Sequence, residues 1–407
     1  PDASGGVYMA RETGLYRIDP ASATVTATGL ALPGAVKRFA WLRATIRDGK
    51  ASFAGDGSDP LVLAGLNTDG SYWLFDPATK QSAMVEVSLK GQPIVVQSLT
   101  QDGQGNVYIG GYFAGGLGVY DSINDKLTEY RGIGQIENMT FHRGKLYMGV
   151  YTKARLYVYD PERPWETDVN PRLLRTLGER GQDRPFGIAS AGNYVALGTV
   201  PEYGRLGGGL FLYDPGRDEL EAYPNLIREQ SIVCLLYRDG VLYGGTSVWG
   251  GLGVSPTQTE AFVFAWDVER RALKWQTAPV PGERAVTSLA FGPDGMLWGM
   301  TAGKLFRLNP SDGATSGTYE MMKVDWNAFT HMWRNAFLRW REDGRLYGTA
   351  MNRFFRFDPA SGAFEVLADD VILLADDPRG RFYFANETEL YRYDFNDDSM
   401  VQGETGK

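Results

Sequence analysis

IVVQSLTQDGQGNVYIGGYFAGGLGVYDSINDKLTEYR, from Ile94 to Arg131, falls into four apolar or aromatic runs separated by turns rich in Gly, Asn and Asp. The runs are IVVQSL (Ile94 to Leu99), VYIGG (Val107 to Gly111), LGVYD (Leu117 to Asp121) and LTEYR (Leu127 to Arg131). A period of two, carried by β-branched and aromatic residues between such turns, predicts short antiparallel strands. No helix-period segment competes with it.

The third run is a recurring mark. VYDP or a near relative closes a strand at Asp19, Asp76, Asp121, Asp160, Asp214, Asp267, Asn309, Asp358 and Asp394. The mean spacing, about 47 residues, lies in the blade range of propellers. The first run is the most apolar, as a strand buried on both faces must be. It returns at Phe39 (FAWL), Met139 (MTF), Phe186 (FGIA), Ile232 (IVCLL), Val286 (VTSLA), Phe337 (FLRW) and Val371 (VILLA). With the copy at Ile94 this predicts an all-β propeller of four-stranded blades, eight in number, with seven as the alternative. The chain starts on an incomplete unit (VYMA, LYRIDP) and ends on another (LYRYD, with no fourth strand). Closure of the ring by strands from both termini is therefore expected, since it leaves no unpaired edge. No linker interrupts the repeats, so one domain over 1–407 is expected.

Composition narrows the function classes. A formal net charge of −8 argues against a nucleic-acid partner, which favours a basic surface. No apolar run approaches the roughly 18 residues of a membrane span. One Cys and two His are too few for a zinc site built from several such ligands. No cofactor is expected, although calcium held by carboxylates and carbonyls stays open. Cys234, inside SIVCLL, reads as a small buried hydrophobe. The chain begins without Met or a signal peptide, so a processed N-terminus and a secreted or periplasmic protein are expected, as a monomer.

Strands of a blade alternate in direction, so second-to-third-strand loops and fourth-to-first connections emerge on one face. That face collects the irregular segments: Thr199 to Gly209, Thr246 to Glu260, Tyr112 to Gly116 and Tyr151 to Arg155. Binding residues tend to lie on such loops. The residues leading into the first strands form a second pattern: Arg38, Gln92, Asn138, Arg184, Gln230, Arg284, Arg334 with Asn335, and Asp370. Arginine forks match carboxylates in two hydrogen bonds, so this pattern reads as an anion site. The opposing reading is a solvated rim in which Glu137, Asp183, Glu229 and Glu283 neutralise the arginines. His331 precedes Arg334 on the loop-rich face and is the histidine placed to act as a base, whereas His142 falls on the other face and is expected to be exposed.

These parts suit an acidic oligo- or polysaccharide. Trp249 and Trp333 offer aromatic platforms, Tyr112 is a further substrate-binding side chain, and Arg38, Asn138, Arg205, Gln230, Arg284 and Asn335 offer donors for hydroxyls and carboxylates. β-Elimination from a uronic acid fits them best. Arg184 or Arg334 would neutralise the carboxylate, His331 or Tyr203 would take the C5 proton, and a tyrosine would protonate the departing oxygen. Glycoside hydrolysis by two of Glu137, Asp183, Glu202 and Glu229 is an alternative, as is a non-catalytic module that binds a glycan or protein.

The repeats, with YFAGGLGVYD (Tyr112 to Asp121), YVALGTVPEYGRLGGG (Tyr194 to Gly209) and LYGGTSVWGGLG (Leu242 to Gly253), resemble the β-propeller polysaccharide lyases, particularly the rhamnose-glucuronate lyases. The resemblance covers the whole chain in architecture and implies exolytic cleavage next to glucuronate. A more distant similarity is to oligogalacturonate lyase, whose family uses a His-rich metal site that two histidines on opposite faces do not supply.

Overall fold

The four runs between Ile94 and Arg131 form strands Val96–Gln101, Asn106–Gly111, Leu117–Asp121 and Lys126–Tyr130, hydrogen-bonded in that order in one antiparallel sheet. The structure, a computed structural model, describes residues 1–32, 34–67, 71–85, 93–113, 115–395 and 399–402. The chain divides into two units, Pro1–Pro93 and Ile94–Lys407.

The second unit repeats the same four-stranded sheet seven times. Its first strands are Val96–Gln101, Gln135–His142, Gln182–Ala191, Ser231–Arg238, Ser288–Phe291, Phe337–Trp340 and Ile372–Asp376. Each first strand packs against the next, and the last packs against the first. Val96, Val107 and Tyr120 share one core cluster with Leu373, Tyr383 and Ala385, which joins the sheets at the two ends of the series. A comparable cluster lies between the second and third sheets, where Tyr147 and Leu156 meet Ile188, Leu197 and Phe211. Each large apolar side chain buried in such a cluster contributes about 1.5–3 kcal/mol. Small residues let the sheets approach closely: a Cβ on Gly198 would fall 2.4 Å from Ile232 Cγ2, and one on Gly110 would fall 2.9 Å from Ile136 Cβ, each on the next sheet.

The first unit contains a three-stranded sheet (Val7–Arg11, Gly14–Asp19, Thr24–Ala31) and a four-stranded one that begins with Val36–Arg43. A hairpin, Thr45–Arg47 with Lys50–Ser52, is inserted after that strand, so the RDGK turn closes the insertion and does not join the first two strands of the sheet.

The propeller class with four-stranded blades is as expected, and the strands between Ile94 and Arg131 lie within two residues of their predicted bounds. Closure by strands from both termini is corrected. Val7–Arg11 pairs with Gly14–Asp19, and the last sheet takes all four strands from its own stretch, including a fourth strand, Ser399–Gln402, that the sequence reading lacked. Local pairing wins because consecutive strands joined by short turns need no long-range closure. Eight sheets are four-stranded among the described residues, but seven belong to the second unit and one to the first.

Candidate functional site

One cavity of about 620 Å³ opens on the second unit. Its lining comes from the loops after second strands (Tyr112, Phe113, Tyr203, Leu252, Met351, Asn352), from the end of one second strand (Tyr151), and from first strands and the segments leading into them (Gln97, Gln135, Arg184, Phe186, Phe329, His331, Met332, Trp333, Arg334, Asn335). Strand alternation brings these segments to one face, as the loop pattern predicted.

The first strands aim polar side chains inward through register shifts. In the first three sheets of the second unit Gln97, Glu137 and Asp183 are extra in the pairing with the second strand, and the third sheet carries a further shift between Arg184 and Gly187. Such a bulge frees a residue from the alternation and turns it off the sheet plane. Gln97 and Glu137 thereby meet across neighbouring strands, with Gln97 Nε2 donating to Glu137 Oε2. Glu137 Oε1 accepts from Gln135 Nε2 at 2.9 Å and from Arg184 Nη1 at 2.7 Å. The Glu137 side chain is 0% exposed and that of Arg184 13%. A buried carboxylate of this kind requires a charged partner, and the fork of Arg184 supplies it.

Arg184 also lies over the Tyr151 ring, 3.8 Å from its centre, and 5.6 Å from that of Trp333. Burial works to lower its pKa, but Glu137 and the tyrosine hydroxyls more than offset this, so the guanidinium is held above its ordinary value. Its Nη2 approaches the Tyr203 hydroxyl at 3.5 Å, and the Tyr203 and Tyr151 hydroxyls bond to each other. The bond to Tyr151, then that to Arg184, lowers the Tyr203 pKa, while the same Tyr203 bond, reinforced by burial, pushes Tyr151 up to about 12. Arg334 donates to the Gln97 carbonyl and, at 3.2 Å, to Gln97 Oε1. Burial lowers its pKa and Glu137 opposes the change; the group remains cationic.

His331 sits on the segment that enters the sixth sheet, with its ring 4.3 Å from that of Trp333 and Nδ1 3.2 Å from Thr330 Oγ1. Burial of the ring, and then the positive charge of Arg184, lower its pKa, so it favours the neutral form able to accept a proton. Asn335 completes the polar wall, its Oδ1 taking the Met351 amide at 3.0 Å.

The structure thus brings His331, Tyr203, Arg184, Arg334, Tyr112, Trp333 and Asn335 to one cavity. The other predicted binding residues do not line it, and each has a physical reason. Trp249 is 5% exposed and packs on Trp326 in a core cluster, so it is no platform for a sugar. Gln230 is buried, donating to the Glu260 carbonyl at 2.8 Å and accepting from Thr246 Oγ1 at 2.5 Å. Asn138 ties two sheets together through the Phe186 carbonyl at 2.7 Å. Arg205 pairs with Glu202 at 3.5 Å on the surface. Arg284 is half-buried, and its backbone carbonyl accepts the Val248 amide. Arg38 lies in the first unit, exposed on Val36–Arg43. Gln92 lies outside the described residues.

Of the four rim acids, Glu137 alone pairs, among the described residues, with one of the arginines of the pattern, Arg184. Glu283 pairs with Lys304 at 3.0 Å, Glu229 approaches Arg228 at 3.9 Å, and Asp183 accepts the Lys153 amide at 2.7 Å. His142, expected to be exposed, is buried with Nδ1 2.8 Å from Ser190 Oγ. Cys234 is half-buried, its thiol donating to the Val286 carbonyl at 3.6 Å, and burial pushes its pKa up to about 12.

Gln97 and Gln135 are polar site residues that sequence reasoning missed, and Tyr151 was named only as the start of a loop. The first two carried a usable signal: QIENMTF and IVVQSL place polar side chains in strands that must be buried on both faces.

No family profile matches the chain, and no curated protein matches it in sequence. Solved structures do resemble it. A streptogramin B lyase is similar at 12% identity and TM-score 0.56, over 77% of this chain and 95% of that one. A catalytically inactive virginiamycin B lyase from Staphylococcus aureus, with quinupristin, is similar at 15% identity and TM-score 0.54, over 75% and 96%. A chain of a mitotic checkpoint complex is similar at 13% identity and TM-score 0.56, over 77% and 89%. At these identities the likeness shows the fold: the chain is an all-β protein with the propeller architecture.

Proposed function

We propose that the protein is a lyase that cleaves a uronic-acid-containing glycan by β-elimination in this cavity. One observation carries the reading. The lining holds two guanidiniums, a histidine poised to be neutral and a tyrosine hydroxyl beside one of the guanidiniums, and no carboxylate stands among the lining residues. The cavity is an anion site equipped with a base and an acid.

Arg184 and Arg334 take the uronate carboxylate, and the amides of Gln97 and Asn335 hold its hydroxyls. Charge that develops on the carboxylate as the C5–H bond breaks is then stabilised by cations already in place. The His331 imidazole accepts the C5 proton, the C5–H electron pair becomes the C4–C5 double bond, and the C4–O bond breaks with its pair staying on oxygen. Tyr203 donates its proton to that oxygen, and the resulting phenolate is stabilised by Arg184 and the Tyr151 hydroxyl. Solvent returns the proton from His331 to Tyr203. Paired-carboxylate hydrolysis lacks its parts here, since Glu137 is occupied in an ion pair and Glu202 and Glu229 lie off the cavity. The resemblance to rhamnose-glucuronate lyases points to glucuronate as the residue cleaved.

The test is incubation with a panel of uronic-acid glycans, rhamnose-capped glucuronate chains among them, while following the ultraviolet absorbance of an unsaturated uronate. A rise is expected. New reducing ends without that absorbance would mean hydrolysis, and binding with neither product would make the protein a glycan-binding module.

A further inference from the structure

Both cavity arginines are tied to one carboxylate that the cavity does not expose. Glu137 holds Arg184 directly at 2.7 Å, and it receives Gln97, the residue whose carbonyl and side-chain oxygen hold Arg334. Gln135 shares Glu137 Oε1 with Arg184, donating to it at 2.9 Å. Two guanidiniums against one carboxylate give this hydrogen-bonded cluster a net charge of one, and no acid among the described residues lines the void; Asp183, held by the Lys153 amide, acts on Tyr151 and Tyr203 from outside the cluster. A ligand with one negative charge compensates the cluster. A second negative charge would be desolvated beside the aromatic wall with no partner, which is costly.

We propose that Glu137 is a positioning residue that sets the charge of the site to one unit, and that the site thereby selects sugars carrying a single carboxylate over sugars carrying two negative charges. The proposal rests on the anion reading of the cavity given above but not on the elimination step.

Calorimetric binding of methyl glucuronoside, glucarate and methyl glucoside tests it. Wild type binds the monocarboxylate most tightly. Glu137→Gln keeps one acceptor oxygen, for Arg184 and Gln135 but not for Gln97, and raises the cluster by one charge, so the preference for the monocarboxylate over glucarate falls about tenfold. Should that variant fail to fold, Asn352→Asp, at an exposed lining position, adds one negative charge and weakens methyl glucuronoside binding by a similar factor. A second readout is independent of turnover. The chain has two histidines, so ring titration by NMR follows His331 with His142 as internal control. Glu137→Gln removes a negative charge and should lower the His331 midpoint by roughly half a unit while leaving His142 in place. An unchanged ligand preference, or a His331 midpoint that stays or rises, overturns the charge-setting role. Wild type that binds no uronate overturns the anion reading itself, and wild type that binds without cleaving overturns only the elimination.

Discussion

The guanidinium of Arg184 lies 3.8 Å from the centre of the Tyr151 ring, across the seam between the second and third sheets of the second unit. The stacking face and the fork are used together, since the same group donates to Glu137. Lysine keeps the charge but offers neither a plane nor a fork. Arg184→Lys should therefore fold and lose about a hundredfold in kcat/KM, measured on the cleaved glycan. Wild-type turnover in this variant would remove Arg184 from the reaction. Alanine is the poorer choice, because it leaves the Glu137 carboxylate buried and unpaired at a cost of about 3–5 kcal/mol.

His331→Ala should reduce kcat by about 10² to 10⁴ with an unchanged melting curve, because the side chain is exposed at the cavity and supplies the base. His142→Ala should do the reverse. It loses a buried contact to Ser190 and costs about 1–3 kcal/mol in denaturant unfolding, with kcat retained. Equal kinetic losses in the two variants would contradict the separation.

The pH profile follows from the directions of two shifts. His331 must be neutral, and its pKa is lowered, so activity should rise with pH through a midpoint below the ordinary histidine value of 6.5. Tyr203 must be protonated, and its pKa is also lowered, so activity should fall again through a midpoint below 10.0. In Tyr151→Phe the bond that lowers Tyr203 most is gone, and the alkaline midpoint should move up. An unmoved alkaline limb would show that Tyr203 is not the acid.

Trp249→Ala should act on stability. The indole is packed against Trp326 in the cluster that also holds Phe186 and Trp333, so truncation leaves a cavity and costs about 3–5 kcal/mol by chemical denaturation. Sugar affinity at temperatures where the variant is folded should change less than tenfold. A folded, fully stable variant with lost affinity would return Trp249 to the surface role expected from its loop.

A chelator should leave turnover intact. Among the described residues no group of three or more His, Cys, Asp or Glu is arranged to hold a metal ion. Activity lost to chelation and restored by calcium would overturn a scheme in which guanidiniums alone meet the carboxylate.

The site was legible in part, and the division has a physical cause. Loop residues such as Tyr112 and Tyr203 were found because strand alternation sorts loops to faces without knowledge of their conformation. Trp249 and Gln230 were misjudged for the same reason, since a position on a loop-rich face does not state whether a side chain turns toward solvent or back into the core. Glu137 was read as one of four acids on a solvated rim. Its bulge turns it inward instead, to a partner 47 residues away in sequence.

The amino-acid sequence by itself determined the strands, their order within a sheet and the propeller class, because period-two patterning and turn chemistry act over a few residues and recur in every unit. Only the tertiary structure decided how the sheets divide between the two units, and that Gln97, Glu137, Arg184 and Arg334 form one charged cluster behind a cavity. Those choices depend on which strands become neighbours and on where a register shift turns a side chain. Both are set by packing between segments distant in the chain, where burial of an unpaired charge costs more than any local preference can supply.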